Sequence, residues 1–417
     1  MGYGHQRTAF PLSDLSANAI INANSYEGIP AKDKIIWESS RKFYEFISNI
    51  KRIPVIGNLI FSIFLDKFQR IFSYYPKRDM SRPNFGVKEA FTLIKNGWGE
   101  NLIKTLKGNP LPLVSTFFTP AFMAEYFNYP APIYCVVCDA DISRAWAALE
   151  PKKSKIKYFA PCHWVVDRLG LYGIKEENIY LTGYPLPKEN VGINMEIAKE
   201  DLASRILNLD PKKQYYKMYH PVIEDYVGAL PEKSDHPLTI MFSIGGAGAQ
   251  REMSCKILKS LRNKIKSGQI KIILSAGAKE EVRKFLLENV KQVKLESELN
   301  KNIEILFQKK INDYFTEFNR KLRKTDILWT KPSELSFYAG LGLPIIIAPS
   351  IGSQEDFNRK WLLHIGAGFL QENPKYTDQW LFDLLESGRL AEGAMQGFVE
   401  IEKMGTYNIE KIISKEQ

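Results

Sequence analysis

Cysteine is scarce in this chain, and long apolar runs are missing. Four cysteines among 417 residues argue against a disulfide scaffold and fit a reducing compartment. No uninterrupted apolar run reaches the ~20 residues that a membrane-spanning helix needs, and no cleavable signal peptide is visible at Met1. We therefore expect a cytoplasmic protein without a transmembrane helix.

The remaining composition is that of a folded α/β protein with a basic surface. Hydrophobic residues make up 45% of the chain and charged residues 25%, and the length predicts about two domains at ~150 residues each. The net charge of +10 and the pI near 9.1 indicate an anionic partner, either nucleic acid or a lipid surface.

A basic, aromatic segment favours the lipid surface and argues against nucleic acid. Residues 51–78 hold an apolar centre bracketed by cations, a pattern typical of a helix that lies in the membrane interface. Each basic residue there would contribute ~1 kcal/mol with anionic head groups. The alternative is a core helix packed on a sheet. The predicted membrane-contacting residues are Leu59, Phe61, Phe64, Lys51, Arg52, Lys67 and Arg70.

The segment 330–368 has the order of a complete α/β ligand-binding unit. Residues 326–330 predict a buried strand, a helical stretch from about 333 ends at Gly342, and residues 344–348 predict a second strand. A Gly/Ser loop and a helix opening at Gln354 follow. Because ligands bind outside the carboxyl ends of parallel strands, the polar residues of this unit are predicted to face a ligand.

The same unit resembles the donor half of GT-B glycosyltransferases, in particular the lipid-II N-acetylglucosaminyltransferase and diacylglycerol glycosyltransferase (monogalactosyldiacylglycerol synthase-like) group. The shared order is Lys-Pro, Ser-Glu, Gly-Leu-Pro, Gln-Glu-x-x-Asn and Gly-Ala-Gly. The family's Lys-Pro-Gly-Gly-x-Thr is Lys-Pro-Ser-Glu here, so the donor geometry departs from the pattern. The resemblance implies donor binding by Lys331, Ser333, Glu334, Gln354, Glu355 and Asn358.

Within this set, the resemblance implies distinct roles. Gln354, Glu355 and Asn358 would face the sugar of a nucleotide donor. Glu334 would take ribose hydroxyls from a helix start, where the helix dipole keeps a carboxylate ionised. Lys331 would either bind a phosphate or cap the turn.

The first nine residues, MGYGHQRTA, resemble the family's Gly-x-Gly-His-x-x-x-Ala loop. Gly2 and Gly4 would let the backbone approach the ligands closely. His5 would then be the general base or position the acceptor, a role that suits a side chain titrating near neutrality. Since the family's loop follows a strand, we expect either a start called late or a first sheet with an open position.

Two further stretches resemble the family. Residues 132–187 give a strand, Asp139, a second strand and a closing IYLTGYP, and Asp139 is either a catalytic residue on the acceptor side or a capping residue. Residues 239–250 run from a strand into a glycine turn, where Gly245, Gly246 and Gly248 would present N–H groups to a diphosphate. Taken alone, such a turn is equally compatible with a structural role.

Metal sites are a weaker interpretation. Cys135 and Cys138 form a C-x-x-C motif that suggests zinc, but alternation along a strand places the two side chains on opposite faces. Asp139 and Asp141 form an Asp-x-Asp motif, which binds a metal in another glycosyltransferase fold. We expect no metal and no cofactor, with a nucleotide-sugar as co-substrate.

The resemblance predicts an α/β protein of GT-B type, with two Rossmann-like domains facing a cleft. The expected organisation is an acceptor-side domain over residues 1–186 with the 51–78 insertion, a linker over 187–237, a nucleotide-sugar domain over 238–407, and a last helix over 408–417 that returns to the first domain.

The implied activity is that of an inverting hexosyltransferase of the cell envelope. It would move a sugar from a UDP-sugar to a lipid or polyprenyl-linked acceptor, making a glycolipid as a peripheral protein on the inner face of the cell membrane. The alternatives are a UDP-sugar 2-epimerase-like enzyme and a catalytically decayed nucleotide-sugar-binding protein.

Overall fold

The computed structural model describes residues 2–17, 19–50, 70–243, 253–350 and 353–415. In the first half, the helices are α1 Tyr3–Ala9, α2 Ala31–Ile50, α3 Phe85–Lys95, α4 Glu100–Leu106, α5 Phe118–Tyr126 and α6 His163–Leu171. The strands of this half are β1 Leu113–Ser115, β2 Ile133–Val136, β3 Lys157–Ala160 and β4 Ile179–Leu181. Short 3-10 helices cover Phe10–Leu15, Arg144–Trp146 and Glu176–Asn178.

The second half alternates strands and helices with greater regularity. Its helices are α7 Lys188–Val191, α8 Glu196–Leu209, α9 Gln214–Val227, α10 Met253–Ser260, α11 Arg262–Lys266, α12 Glu280–Gln292, α13 Ile311–Leu322, α14 Ser353–His364, α15 Thr377–Glu386, α16 Arg389–Glu400 and α17 Gly405–Lys415. Its strands are β5 Leu238–Ser243, β6 Ile270–Gly277, β7 Ile303–Phe307, β8 Ile327–Thr330, β9 Ile345–Ile347 and β10 Gly368–Leu370. Further 3-10 helices cover Glu296–Glu298, Glu334–Leu341 and Pro374–Tyr376.

The strands form two sheets, one in each domain, and all of their pairings are parallel. The first sheet has the order β1-β2-β3-β4, and the second has the order β10-β9-β8-β5-β6-β7. Helices separate successive strands along the chain, as parallel pairing requires. The α/β class with two Rossmann-like domains is thus confirmed.

The order of the second sheet defines where a ligand can enter. The chain moves outward from β5 through β6 to β7, then returns to pair β8 with the other side of β5. This reversal is a topological switch point, and in open α/β sheets the crevice beyond the carboxyl ends of the two switching strands binds ligands. Strand β5 ends at Ser243 and β8 ends at Thr330.

The connection at 187–237 is helical over much of its length. Helices α7, α8 and α9 occupy it, and α8 packs against the second domain through the fully buried Arg205. The Arg205 guanidinium donates to the carbonyls of Thr325, Leu341 and Leu322 at 2.7, 2.5 and 2.8 Å. Two of these carbonyls close helices, where backbone oxygens have no helical partner. At least one charged residue of this polar connection is therefore buried and structural, although the polar composition suggests an exposed segment.

The chain crosses between the domains twice, and the two crossings lie against each other. A Cβ at Gly183 would lie 2.8 Å from the carbonyl oxygen of Glu402, and one at Gly405 would lie 2.2 Å from that of Tyr184, so both positions need glycine. Beyond the second crossing, α17 returns to the first domain, where Ile409 joins a buried cluster on the face of the first sheet.

The described end of the basic insertion is not helical. Over residues 70–78 the chain is extended or bent, which contradicts a helix running to 78. Tyr74 donates a hydrogen bond to Asp167 of α6, and Arg70 lies exposed with its guanidinium 5.1 Å from the Phe72 ring. Leu59, Phe61, Phe64, Lys51, Arg52 and Lys67 lie outside the described residues. Across the described ranges, none of the helices has the length and apolarity to cross a membrane.

Arg205 gives a test of how the connection is attached. Replacing Arg205 with Ala should lower the free energy of unfolding by about 3 kcal/mol or more, because each of three carbonyls then loses a charged donor at ~1 kcal/mol or more. Urea denaturation measures the change. Replacing the exposed Arg389, which pairs with Glu392, should change it by less than ~1 kcal/mol and serves as the control. A loss from Arg205→Ala no larger than the control's would show that α8 is not held by these bonds.

Candidate functional site

The site lies where the carboxyl ends of the second sheet meet the amino-terminal helix. Residues 331–334 follow β8, and α14 follows β9, so both open at the switch-point edge. Helix α1 covers this edge from the first domain. The Tyr3 hydroxyl accepts a hydrogen bond of 3.3 Å from the backbone N–H of Ala278, just after β6. Side chains from the two domains therefore face each other across a narrow cleft.

His5 is held on the first-domain wall in a defined tautomer. Its Nδ1 lies 2.7 Å from the carbonyl oxygen of Thr116, and the Thr116 hydroxyl donates back to the His5 carbonyl at 3.0 Å. A carbonyl only accepts, so Nδ1 carries the proton and the neutral ring has its lone pair on Nε2. Burial lowers the pKa of His5, which keeps the ring neutral at pH 7. In this state His5 can accept a proton.

Asp139 lies close to His5, just beyond β2. The sulfur of Cys138 lies 3.4 Å from Nδ1 of His5 and 4.0 Å from an Asp139 carboxylate oxygen, so the two titratable groups flank one thiol. Burial raises the pKa of the Cys138 thiol well above its usual range, which leaves it protonated. The thiol is therefore a neutral neighbour of His5 and Asp139.

The charges of the second domain act on the Asp139 carboxyl. The pKa of Asp139 is raised to about 6, and burial is the largest cause. The carboxylates of Glu334 and Glu355 also raise it, whereas the hydrogen bond from Asn358 and the charge of Lys331 lower it. The predicted catalytic and donor-side residues thus share one electrostatic environment. A group with a pKa near 6 is mostly ionised at neutral pH and can accept a proton there.

Two ion pairs hold the remaining charges of the cleft. Lys331 pairs with Glu355 within the second domain. Glu334 pairs with Arg7 of α1 at 3.3 Å, and a Cβ at Gly4 would lie 2.9 Å from the Glu334 carboxylate. Because Gly4 has no side chain, the Glu334 carboxylate can lie close to the Gly4 backbone, where the sequence had suggested a ligand. Ser333 precedes the 3-10 helix Glu334–Leu341, and the Ser333 side chain makes no capping hydrogen bond there.

The other predicted residues differ in how they are placed. Gly2 is exposed, and a Cβ there would meet nothing within 4 Å. Gln354 is half-buried in the first turn of α14. Gly245, Gly246 and Gly248 lie outside the described residues.

Asn358 is fully buried, and both ends of its amide contact the first domain. Its Oδ1 accepts from the backbone N–H of Ala140 at 2.7 Å, and its Nδ2 donates to Asp139 at 3.0 Å. Gln354 and Glu355 on the same helix stay partly exposed to the cleft. The structure therefore separates Asn358 from the other two residues predicted to face the sugar.

Arg7 was not singled out by its sequence context, although it is central to the junction. It is 4% exposed, and its guanidinium lies 4.2 Å from the ring centre of Phe318 and 4.8 Å from that of Phe315, both on α13. It also donates to the Tyr314 hydroxyl at 3.5 Å. In the sequence, the only indication of this role was the position of Arg7, two residues after the predicted catalytic histidine.

A second unpredicted feature is an open groove beyond the end of β7. It has a volume of about 630 Å³, and its lining includes Arg283, Phe307, Lys309 and Lys310. The lining also includes one carboxylate, Asp313, so the cations outnumber it by three to one. An aromatic ring beside this excess of positive charge at the carboxyl edge of a parallel sheet suits a planar, anionic ligand. The signal in the sequence was the Lys-Lys pair that follows Gln308, one residue after the strand.

The possible metal motifs have other partners. Asp141 forms a buried bidentate pair with Arg168, at 2.7 Å for each bond. Cys135 is buried in β2 and Cys138 lies beyond the strand's end. Within the ranges that the structure covers, no group of three or more His, Cys, Asp or Glu side chains could hold a metal ion.

Comparisons with known proteins support the fold. Residues 231–312 match a family described as a domain of unknown function (DUF6938). No curated protein matches the chain in sequence. Among solved structures, S. aureus MnaA with UDP has 13% identity and a TM-score of 0.50, covering 99% of this chain and 94% of the other.

Two more solved structures are similar at lower scores. N. meningitidis UDP-GlcNAc 2-epimerase bound to UDP-GlcNAc has 14% identity and a TM-score of 0.46, covering 86% of this chain and 88% of the other. A. baumannii MurG has 14% identity and a TM-score of 0.46, with 85% and 88% covered. At these identities the likeness concerns the fold, and the chain has the GT-B fold.

Proposed function

We propose that this protein is an inverting glycosyltransferase that moves a sugar from a UDP-sugar to a hydroxyl of a lipid or polyprenyl-linked acceptor at a membrane surface. The observation that carries the proposal is the meeting of two proton-accepting groups, His5 and Asp139, with the donor-side residues Lys331, Glu334 and Glu355 in one cleft. Transfer needs a base on one wall and a bound leaving group on the other.

The acceptor side of the mechanism follows from the orientation of His5. As the acceptor oxygen attacks the anomeric carbon, Nε2 takes its proton and the C–O bond to the diphosphate breaks on the opposite face, so the configuration inverts. The Thr116 carbonyl stabilises the imidazolium that forms, because Nδ1–H already points at it. Asp139 is the second candidate base. If His5 takes the proton, Asp139 would orient the acceptor.

The donor side would use the edge of the second sheet. Gln354 and Glu355 would orient the sugar, and the groove beside Phe307 offers a ring and cations for the nucleotide. Backbone N–H groups after β5 and at Ser333 would stabilise the leaving diphosphate. The S. aureus MnaA structure contains UDP, which makes UDP the first nucleotide to test.

Glu355 tests the donor assignment. Replacing Glu355 with Ala should weaken binding of a UDP-sugar by tenfold or more and binding of UDP by much less, because a lost charged hydrogen bond to a sugar hydroxyl costs ~1.5–3 kcal/mol. Calorimetry with UDP, UDP-glucose and UDP-N-acetylglucosamine measures both. Asp356→Ala, which removes the next carboxylate along α14, is the matched control. Equal weakening of UDP and UDP-sugar would place Glu355 away from the sugar.

His5 tests the transfer step. Replacing His5 with Ala should lower kcat by ~10²- to 10⁴-fold, the usual loss for a missing general base, while the donor Kd stays within about twofold. Transfer of labelled sugar to membrane lipid extracts measures turnover. His220→Ala, an exposed histidine of α9, is the control. Turnover near that of the unmodified protein would remove His5 from the mechanism and leave Asp139 as the base.

The same assay separates the proposal from other activities of this fold. Incubation with donor alone would convert the sugar to its 2-epimer if the protein were an epimerase. Binding of UDP-sugar with neither transfer nor epimerisation would identify a nucleotide-sugar-binding protein. Both outcomes contradict the proposed transfer.

The insertion tests membrane attachment. Replacing Phe61 and Phe64 with Ser should reduce binding to vesicles containing anionic lipid by tenfold or more, and binding of the unmodified protein should fall with salt because charges are screened over ~8 Å at physiological ionic strength. Cosedimentation with vesicles measures this. Phe85→Ser, at an exposed site in α3, is the control. Unfolding of the double variant would show that these rings belong to the core.

A further inference from the structure

The contact between Asn358 and Asp139 joins residues 219 positions apart across the junction of the two domains. The backbone N–H of Ala140 can only donate, so the amide atom 2.7 Å from it must be the Asn358 oxygen. This fixes the NH₂ group toward the Asp139 carboxylate. The orientation of the amide is therefore set by the first-domain backbone rather than by any ligand.

Both polar atoms of the Asn358 side chain are engaged at the domain junction. The side chain is fully buried, its oxygen is used by Ala140, and its nitrogen faces Asp139. Its helix begins with Gln354 and Glu355 in the same cleft. A shift of α14 on donor binding would thus be transmitted directly to the Asp139 side chain.

We propose that Asn358 is a positioning residue, which holds the Asp139 carboxylate across the domain junction so that this group is correctly oriented only when the two domains are closed. The proposal rests on the proposed function for the chemical task of Asp139. It assigns Asn358 to the acceptor-side carboxylate of Asp139 instead of to the donor sugar.

The surrounding charges fit this role. From the second domain, Glu334, Glu355 and Lys331 face Asp139; from the first, the neutral His5 ring and the Cys138 thiol do. Asp141 is occupied by Arg168. A hydrogen bond donated to the ionised carboxylate favours that form, so Asn358 lowers the pKa of Asp139 while burial, the larger effect, raises it; the resulting pKa is about 6.

The test is a direct titration of Asp139 in the full chain, without donor or acceptor. Carboxyl-¹³C labelling of aspartate shifts the infrared bands of the aspartate carboxylates away from those of glutamate, and the difference spectrum between the unmodified protein and Asp139→Asn isolates the band of Asp139. In Asn358→Ala the pKa of Asp139 should rise by about one unit, a tenfold change in proton binding worth about 1.4 kcal/mol. Small-angle scattering should give an unchanged radius of gyration. Asn312→Ala, at an exposed site of α13, should change neither.

Three outcomes would overturn the proposal. An unchanged pKa would show that Asn358 does not act on Asp139. A pKa that falls toward the usual range together with a larger radius would show that Asn358 only holds the domains together. A weaker donor Kd with an unchanged titration would return Asn358 to the sugar.

A second variant covers the case in which Asn358→Ala does not fold. Asn358→Asp keeps the side-chain shape and the hydrogen bond from the Ala140 N–H, but replaces the Nδ2 group that donates to Asp139 with a carboxylate oxygen. Two carboxylates at this distance share a proton, so the pKa of Asp139 should rise by more than one unit. Asn312→Asp adds the same charge at an exposed site and is the control. Titration of Asn358→Asp like the unmodified protein would also overturn the proposal.

The result of the titration does not depend on whether the protein is a transferase. A protein that transfers no sugar can still show the expected shift, and an active transferase can lack it. Where turnover is measurable, Asn358→Ala should lower kcat and move the acid limb of its pH profile while the KM for donor stays unchanged. A purely structural role for Asn358 would leave that limb in place.

Discussion

The arrangement of the whole site depends on one buried cation, Arg7. Its guanidinium is enclosed by aromatic rings of α13 and paired with Glu334, although it belongs to the first helix of the other domain. A buried charge is stable only when it is compensated, so the packed junction requires Glu334 and the rings of α13 around Arg7. Since α1 also carries His5, the same interaction brings the candidate base to the donor-side residues.

The charge balance of the cleft suits an anionic ligand only in part. Three carboxylates, from Asp139, Glu334 and Glu355, meet two cations, Arg7 and Lys331. Each cation already has an acidic partner, so a diphosphate entering here would compete with Glu355 for Lys331. Donor binding and the electrostatics of Asp139 are therefore coupled, because both involve the same ion pair.

Sequence reasoning located these elements of the second sheet well because their signals are local. The apolar run 326–330, the stop at Gly342, with a φ of +72°, and the β-branched run before Ala348 each specify a nearby element. The contacts at the junction of the two domains could not be predicted from local signals. The contacts of Arg7 with Glu334 and of Asn358 with Asp139 join residues far apart in sequence, and neither has a local pattern. The connection at 187–237 was expected to be a linker because it is polar and rich in proline and lysine, and nothing local in the sequence marks Arg205 as buried.

The paired crossings at Gly183 and Gly405 have a mechanical consequence. Gly183 and Gly405 let the two segments pack closely, so the domains are joined by a double connection instead of a single chain segment. A twist of one domain on the other would separate the two segments or force them to overlap. The double connection therefore favours one alignment of the two walls of the cleft.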